Sequence, residues 1–387
     1  NVAYIENLDV EAKRAELGLK KNRQLVINRE NFIELCRVVT EMDEIVFKDM
    51  FNRMGYSIDW SDEYATIDEK SRRIAQRSFL DLHDKGHVYQ LESPTMWDVD
   101  FQTAVAQAEV ENREKGGAYH DIEFGIFEED APIKSFVIST TRPELLAACV
   151  GITAHPDDER FKGLFGKHAV TPGFFAKVPI FPSTEADPEK GNGILMVCTF
   201  GDQTDVAWWR EEKLELRQIL GRNGRILDHQ FGGDGGWESS NPDKANENYQ
   251  LIVGKRIPSA KSIMVDLLRD PENSSTGNGA PLQGEPKPIQ HPVRYFEKGD
   301  NPLEYLTTRQ WFVRLLDKTD QMIEMGRKIE WHPSFMRKRF ENWTENLNVD
   351  WCISRQRYFG VPIPVWYPLD DQGEPLHDDA IIASPDM

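Results

Sequence analysis

Two carboxylates three residues apart, Asp202 and Asp205, follow the apolar run 194–199 (ILMVCT) across Gly201 and precede the stretch VAWWREE. An apolar strand released by a glycine into a helix start places both acids in a first turn, where the helix dipole favours negative charge. That is ordinary capping chemistry; facing a ligand, the same pair would hold a substrate ammonium. A second cluster, Ser139, Thr140, Thr141, Arg142, Pro143 and Glu144, ends the β-branched run 135–141 (SFVISTT), and Pro143 stops the strand ladder there. Polar groups are thus gathered at a strand end, which also describes a turn with a capping threonine. In a third cluster, Asp350 to Arg357 (DWCISRQR), Cys352 has no histidine near it in sequence and does not read as a nucleophile.

The elements that must position these groups follow from the hydrophobic pattern. Phe32, Leu35, Cys36, Val39, Met42, Ile45, Val46, Met50 and Met54 recur at three- and four-residue steps and stop at Gly55, which predicts a helix over 29–54 with one face in a core. A second helix is expected over 67–85, opened by Thr66 and Glu69 at capping-box spacing and closed by Gly86. An alanine-rich stretch, 101–111, reads as a third. Shorter β-branched runs then dominate, so the middle of the chain is expected to be strand-rich. The Pro-, Gly- and Ser-rich segment 271–288 reads as a linker or crossing segment, and helical patterns return at 307–326 and 333–347.

Composition narrows the class. The 387 residues suit two or three domains. With 46 Lys and Arg against 65 Asp and Glu, the net charge of −19 argues against broad nucleic-acid binding while leaving room for a local basic face such as Arg337, Lys338 and Arg339. No apolar run approaches the roughly 18 residues of a membrane-spanning helix, and no signal-peptide core opens the chain, which reads as cytoplasmic. The four cysteines are scattered and contain no CxxC pair, so reduced, mostly buried thiols are expected and no metal site. His83 and His87 are four apart, but Gly86 lies between them, and a helix end explains them.

Taken together the three clusters resemble a known family. The run DWCISRQRYFGVPIPVW resembles the corresponding block of class I valyl- and isoleucyl-tRNA synthetases. STTRPE and GNGILMVCTFGDQTD resemble, in order, the two motifs of the editing domain inserted in the valyl, isoleucyl and leucyl enzymes. The valyl pattern is favoured, because TTRPE is followed by His155-Pro-Asp-Asp-Glu-Arg-Phe161, whereas the isoleucyl motif usually carries a tryptophan after the proline.

The resemblance implies an α/β fold in which a strand-rich, β-barrel-like editing domain (112–275) is inserted between a mainly helical connective or core segment (1–111) and a returning segment with the WCISRQ block (276–387), the flanks being partly Rossmann-type core. It implies hydrolysis of the ester of threonyl-tRNA(Val), with tRNA(Val) as partner, a monomer, and no cofactor for editing. Asp205 would grip the substrate ammonium, Asp202 the side-chain hydroxyl or the attacking water, and Thr140 and Arg142 the ester and terminal adenosine side. Thr141, Glu144, Met196 and Cys198 would line the substrate. The ATP-handling motifs His-Ile-Gly-His and Lys-Met-Ser-Lys-Ser are absent from the 387 residues, so the chain reads as a fragment without amino-acid activation, and ATP and Mg belong to the full-length parent. Where many valyl enzymes carry threonine, lysine and threonine, this chain has Leu145, Met196 and Cys198. Met196 looks more like the leucyl pattern. An isoleucyl- or leucyl-type fragment, or a tRNA-binding module with a decayed editing site, are the alternatives.

Overall fold

The computed structural model describes residues 5–18 and 27–384. They divide into two compact units, Gln90–Ile353 on one side and, on the other, the described residues up to 89 together with those from 354 onward.

The smaller unit carries helices α1 (Val10–Glu16), α2 (Arg29–Arg53) and α3 (Glu69–Asp84). The Asn28 side chain caps α2 by accepting from the Asn31 N–H at 2.9 Å. For α3 the cap is Asp68, which accepts from the Ser71 N–H at 2.6 Å, and not the expected Thr66. His83 ends α3 and stacks on Phe79, as a helix-end histidine should. The α2 periodicity does give a helix, but not the expected buried face: Ile45 is 71% and Val46 65% exposed, and Asn31 is the buried residue of the helix. Periodicity fixes which residues share a face and does not supply the surface that covers it. After the WCISRQ block, Tyr358 meets the Phe32 ring edge-on at 6.0 Å.

The larger unit opens within β1 (Val88–Asp98), from Gln90 on, followed by β2 (Thr103–Ala104). It continues through β3 (Val110–Ile126), β4 (Ser135–Thr140), β5 (Cys149–Ala154), β6 (His168–Val170), β7 (Lys177–Pro182) and β8 (Ile194–Cys198), then α4 (Gln203–Glu211), α5 (Pro242–Gln250) and α6 (Ile257–Leu267). It returns through β9 (Lys287–Phe296), β10 (Glu304–Val313), α7 (Thr319–Lys328), α8 (Met336–Glu345) and β11 (Trp351–Cys352). One sheet runs β11-β10-β1-β2, and a larger one runs β4-β3-β6-β7-β5-β8 with β9 paired to β3. The two ends of that larger path come together, with the Asn192 amide donating to the Val137 carbonyl at 3.1 Å, so the sheet curls into a half-barrel. Ile122, Phe124, Ile138, Ile152, Ile180 and Ile194 fill it and are fully buried; each contributes about 1.5–3 kcal/mol relative to exposure. The fold is thus mixed α/β and strand-rich, as expected.

One expected helix and the first part of another are strands, while 319–326 of the second is helical as expected. The alanine-rich stretch 101–111 becomes β2, a short 3-10 turn and the start of β3, and 307–313 lies in β10. At the start of β3 and in 307–313, pairing with distant strands overrides a local helix preference, whereas β2 folds back on the adjacent β1. The expected boundaries at 111/112 and 275/276 fall inside the larger unit, because β3 runs through the first and its ribbon partner β9 lies beyond the second. The segment 271–288 is a tied crossing rather than a free linker: the Gly125 N–H donates to Ser275 Oγ at 2.9 Å and Thr276 Oγ1 donates to Glu123 at 2.9 Å.

Candidate functional site

The curl that joins β4 to β8 also brings the two motifs together. Thr140 closes β4 opposite His120, and its Oγ1 accepts from the Arg142 N–H at 3.0 Å, turning the chain into the 3-10 segment Pro143–Ala148. Cys198 closes β8 opposite Cys149. Its Sγ lies 3.4 Å from the Leu145 carbonyl, and its backbone N–H donates to Asp205 Oδ1 at 3.1 Å. Cys198 therefore links the second motif to the turn that follows the first.

Asp202 and Asp205 form the N-terminus of α4, as their position after Gly201 predicted. Asp202 is the exposed cap and accepts from the N–H groups of Thr204 at 2.8 Å and Asp205 at 3.1 Å. Asp205 is buried, and its Oδ2 accepts from Gly201 at 2.9 Å and Asp202 at 3.0 Å. Burial first, then the Asp202 charge, push its carboxyl up to about 8 against the three backbone N–H groups that hold it down. Trp208 and Val206 seat α4, Trp208 against Val150, Phe181 and Val197, Val206 against Phe200 and Tyr305.

Arg142 sits between two carboxylates. Its Nε donates to Glu144 at 2.9 Å and its Nη1 to Glu304 on β10, also at 2.9 Å. Both acids are almost fully buried. Burial alone would lower the guanidinium pKa, but Glu304 and Glu144 reverse this and hold it above its ordinary value. Burial raises the Glu304 carboxyl, with Arg142 opposing. Lys261 on α6 donates through Nζ to the Thr141 carbonyl; burial lowers its pKa. Glu304 and Lys261 were not among the expected residues. Glu304 is an isolated acid in EYLTTRQWFV, and nothing local marks it.

The remaining expected residues behave unequally. Thr141 and Met196 are half-buried, the latter paired across β5 with Ile152. Leu145 and Cys198 are buried against each other, so the positions where the resemblance leads one to expect hydroxyls hold an apolar side chain and a thiol. Burial pushes the Cys149 thiol up to about 12, and burial with its neighbours Cys149 and Asp205 raises that of Cys198, so both stay protonated. A cavity of about 580 Å³ in this unit lies elsewhere, on the α4 face of Gln203, Val206, Ala207 and Arg210. Asp205 and Arg142 do not line it.

The fit around Asp205 is tight enough to test. A Cβ added at Gly201 would lie 2.4 Å from Asp205 Oδ2. Gly201→Ala is expected to displace the carboxylate and cost about 1–3 kcal/mol, read as a lower urea midpoint at unchanged slope.

The profile of the tRNA synthetases class I (I, L, M and V) matches residues 7–382. A valine–tRNA ligase of Thermobifida fusca is 49% identical over 363 residues, covering 93% of this chain and 39% of the relative. One of Bifidobacterium longum is 46% identical over 373 residues, covering 94% and 38%. The chain thus spans about two-fifths of the length of these relatives. The solved ternary complex of an Agrobacterium radiobacter LeuRS with tRNA and LeuAMS is 15% identical with a TM-score of 0.28, covering 98% of this chain and 42% of that one. A match over nearly the whole chain settles the family: this protein belongs to the class I tRNA synthetases of the isoleucyl, leucyl, methionyl and valyl group.

Proposed function

We propose that the chain is the editing part of a valyl-type enzyme and hydrolyses the ester of threonyl-tRNA(Val). The observation that carries this reading is the meeting of the two motif segments at Cys198, with Asp205 on one side and the Leu145 turn that follows Arg142 on the other. Selection by pocket size is weak between valine and an isostere with a hydroxyl; the general figure for valine against threonine is about a hundredfold. A second site that accepts the threonyl ester supplies the rest.

An aminoacyl ester is already activated, so positioning and polarisation suffice. Asp205 Oδ1 has one backbone donor and so keeps acceptor capacity for the substrate ammonium. Thr140 and Arg142 would stand on the ester and terminal adenosine side, with Thr141, Glu144, Met196 and Cys198 around them. With Leu145 and Cys198 packed together, readout of the threonine hydroxyl falls to exposed Asp202 and to backbone groups. No metal or cofactor enters this step. The partner is tRNA(Val), and the protein acts as a cytoplasmic monomer. Ligation of valine with ATP and magnesium belongs, in this reading, to the longer parent.

The purified protein is expected to deacylate threonyl-tRNA(Val) at least tenfold faster than valyl-tRNA(Val). The thiol and leucine at the expected hydroxyl positions favour one competing reading, a tRNA-binding module without hydrolysis. Equal, background rates for both esters would establish it. Preference for an isoleucyl- or leucyl-type mischarged product would shift the amino-acid assignment instead.

A further inference from the structure

We propose that Glu304, on the returning strand β10, is a positioning residue for hydrolysis: it fixes the Arg142 guanidinium so that Nη2 is presented to an oxygen of the substrate ester. The proposal rests on the editing reading above and names a residue outside both motifs.

Three observations converge. Arg142 donates Nε to Glu144 and Nη1 to Glu304, each at 2.9 Å, so two of its three nitrogens are tied to rigid elements. The third, Nη2, is buried without a hydrogen-bond partner, a costly arrangement for a charged donor unless an acceptor arrives. Glu304 is 3% exposed and sits in β10 of the four-stranded sheet, far in sequence from the motif it holds. One carboxylate would leave the arginine free to swing about the Nε contact. Two set the plane of the guanidinium and thereby the direction of its last edge.

The chemistry this serves is donation to developing negative charge. As water adds to the ester carbonyl, the C=O π electrons move to oxygen while the attacking water gives up a proton. Collapse then breaks the bond to the ribose oxygen, which leaves as a hydroxyl after taking a proton. A fixed N–H edge beside the carbonyl oxygen is worth more in that intermediate than in the ground state. Misaiming it should therefore lower kcat more than it raises KM.

The test uses the whole chain with threonyl-tRNA(Val), comparing wild type, Glu304→Gln and Glu304→Ala. Glutamine keeps an oxygen for Arg142 without the charge, and alanine keeps neither. The expected kcat order is wild type, then Gln about tenfold lower, then Ala at least a hundredfold lower, with KM within threefold for Gln and the Gln melting temperature within 2 °C of wild type. A purely structural role would move melting temperature and kcat together, so a Gln variant with wild-type kcat, or one whose loss of rate follows its loss of stability, overturns the proposal. Affinity for an aminoacyl-adenosine analogue with an amide in place of the ester supplies a readout that needs no turnover: it should fall less than threefold in Gln, and a large fall refutes the transition-state role. If wild type neither hydrolyses the ester nor binds this analogue, the editing reading itself fails and the Glu304 assignment with it. Activity that ignores Glu304 rejects only the assignment.

Discussion

Replacing Asp205 by alanine is expected to abolish threonyl ester hydrolysis and to destabilise the protein by about 3 kcal/mol or more. The stability loss follows from the three N–H groups that lose their acceptor, those of Cys198, Gly201 and Asp202; an unsatisfied buried donor costs about 1–3 kcal/mol. Asp205→Asn separates the two effects. Its oxygen can replace Oδ2, but its NH₂ then faces the Cys198 N–H, so roughly one hydrogen bond is lost. Because the native carboxyl titrates at about 8 instead of near 3.8, the folded state holds that proton more tightly than the unfolded chain does. The resulting contribution to stability is full below about pH 4 and is lost as pH rises through about 8. Urea midpoints between pH 5 and 8.5 should therefore fall more steeply for wild type than for Asp205→Asn, and parallel curves would contradict the assignment. Binding of a cationic amine favours the ionised carboxylate, so affinity for an aminoacyl-adenosine analogue should rise from pH 6 towards 8 while its amine stays protonated.

Arg142→Ala should be similarly damaging for a different reason. It leaves Glu144 and Glu304 buried together without their cation. Leaving buried charges without their counter-ion costs about 3–5 kcal/mol, whereas removing all the charges can be neutral. Arg142→Met alone is thus expected to lower stability strongly at pH 7, and the triple change with Glu144→Gln and Glu304→Gln should recover most of it while remaining inactive. In the single variant the Glu304 carboxyl, already raised by burial, loses the cation that opposes that rise, so the deficit should shrink as pH falls towards 5 and protonation removes the repulsion. A deficit independent of pH would assign the loss to packing of the arginine stem.

How much of this could be read from the sequence depends on how local each signal is. β4 and β8 are short apolar runs closed by Pro143 and Gly201, and α4 begins where Asp202 and Asp205 mark it, so the two motifs and their elements were legible. The start of β3 and residues 307–313 of β10 read as helix in the sequence because their strand partners lie far along the chain. The exposed face of α2 shows the same limit, since a period identifies a stripe but not its neighbour. Glu304 was invisible: an acid in a strand is usually a solvated side chain, and only the folded chain puts it against Arg142.

That separation of 162 residues between Arg142 and Glu304 has a consequence for biosynthesis. At roughly 5–20 residues per second, on the order of 10 to 30 s elapse between their emergence from the ribosome. During that interval the nascent half-barrel carries an arginine with one of its two anchors, and β3 offers the backbone of Val110–Tyr119 without its later partner β9. An open strand edge of this kind invites pairing with other chains. The arrival of the returning strands therefore both covers a vulnerable template and completes the arginine's clasp, so the guanidinium is held on both sides only after β10 has been made.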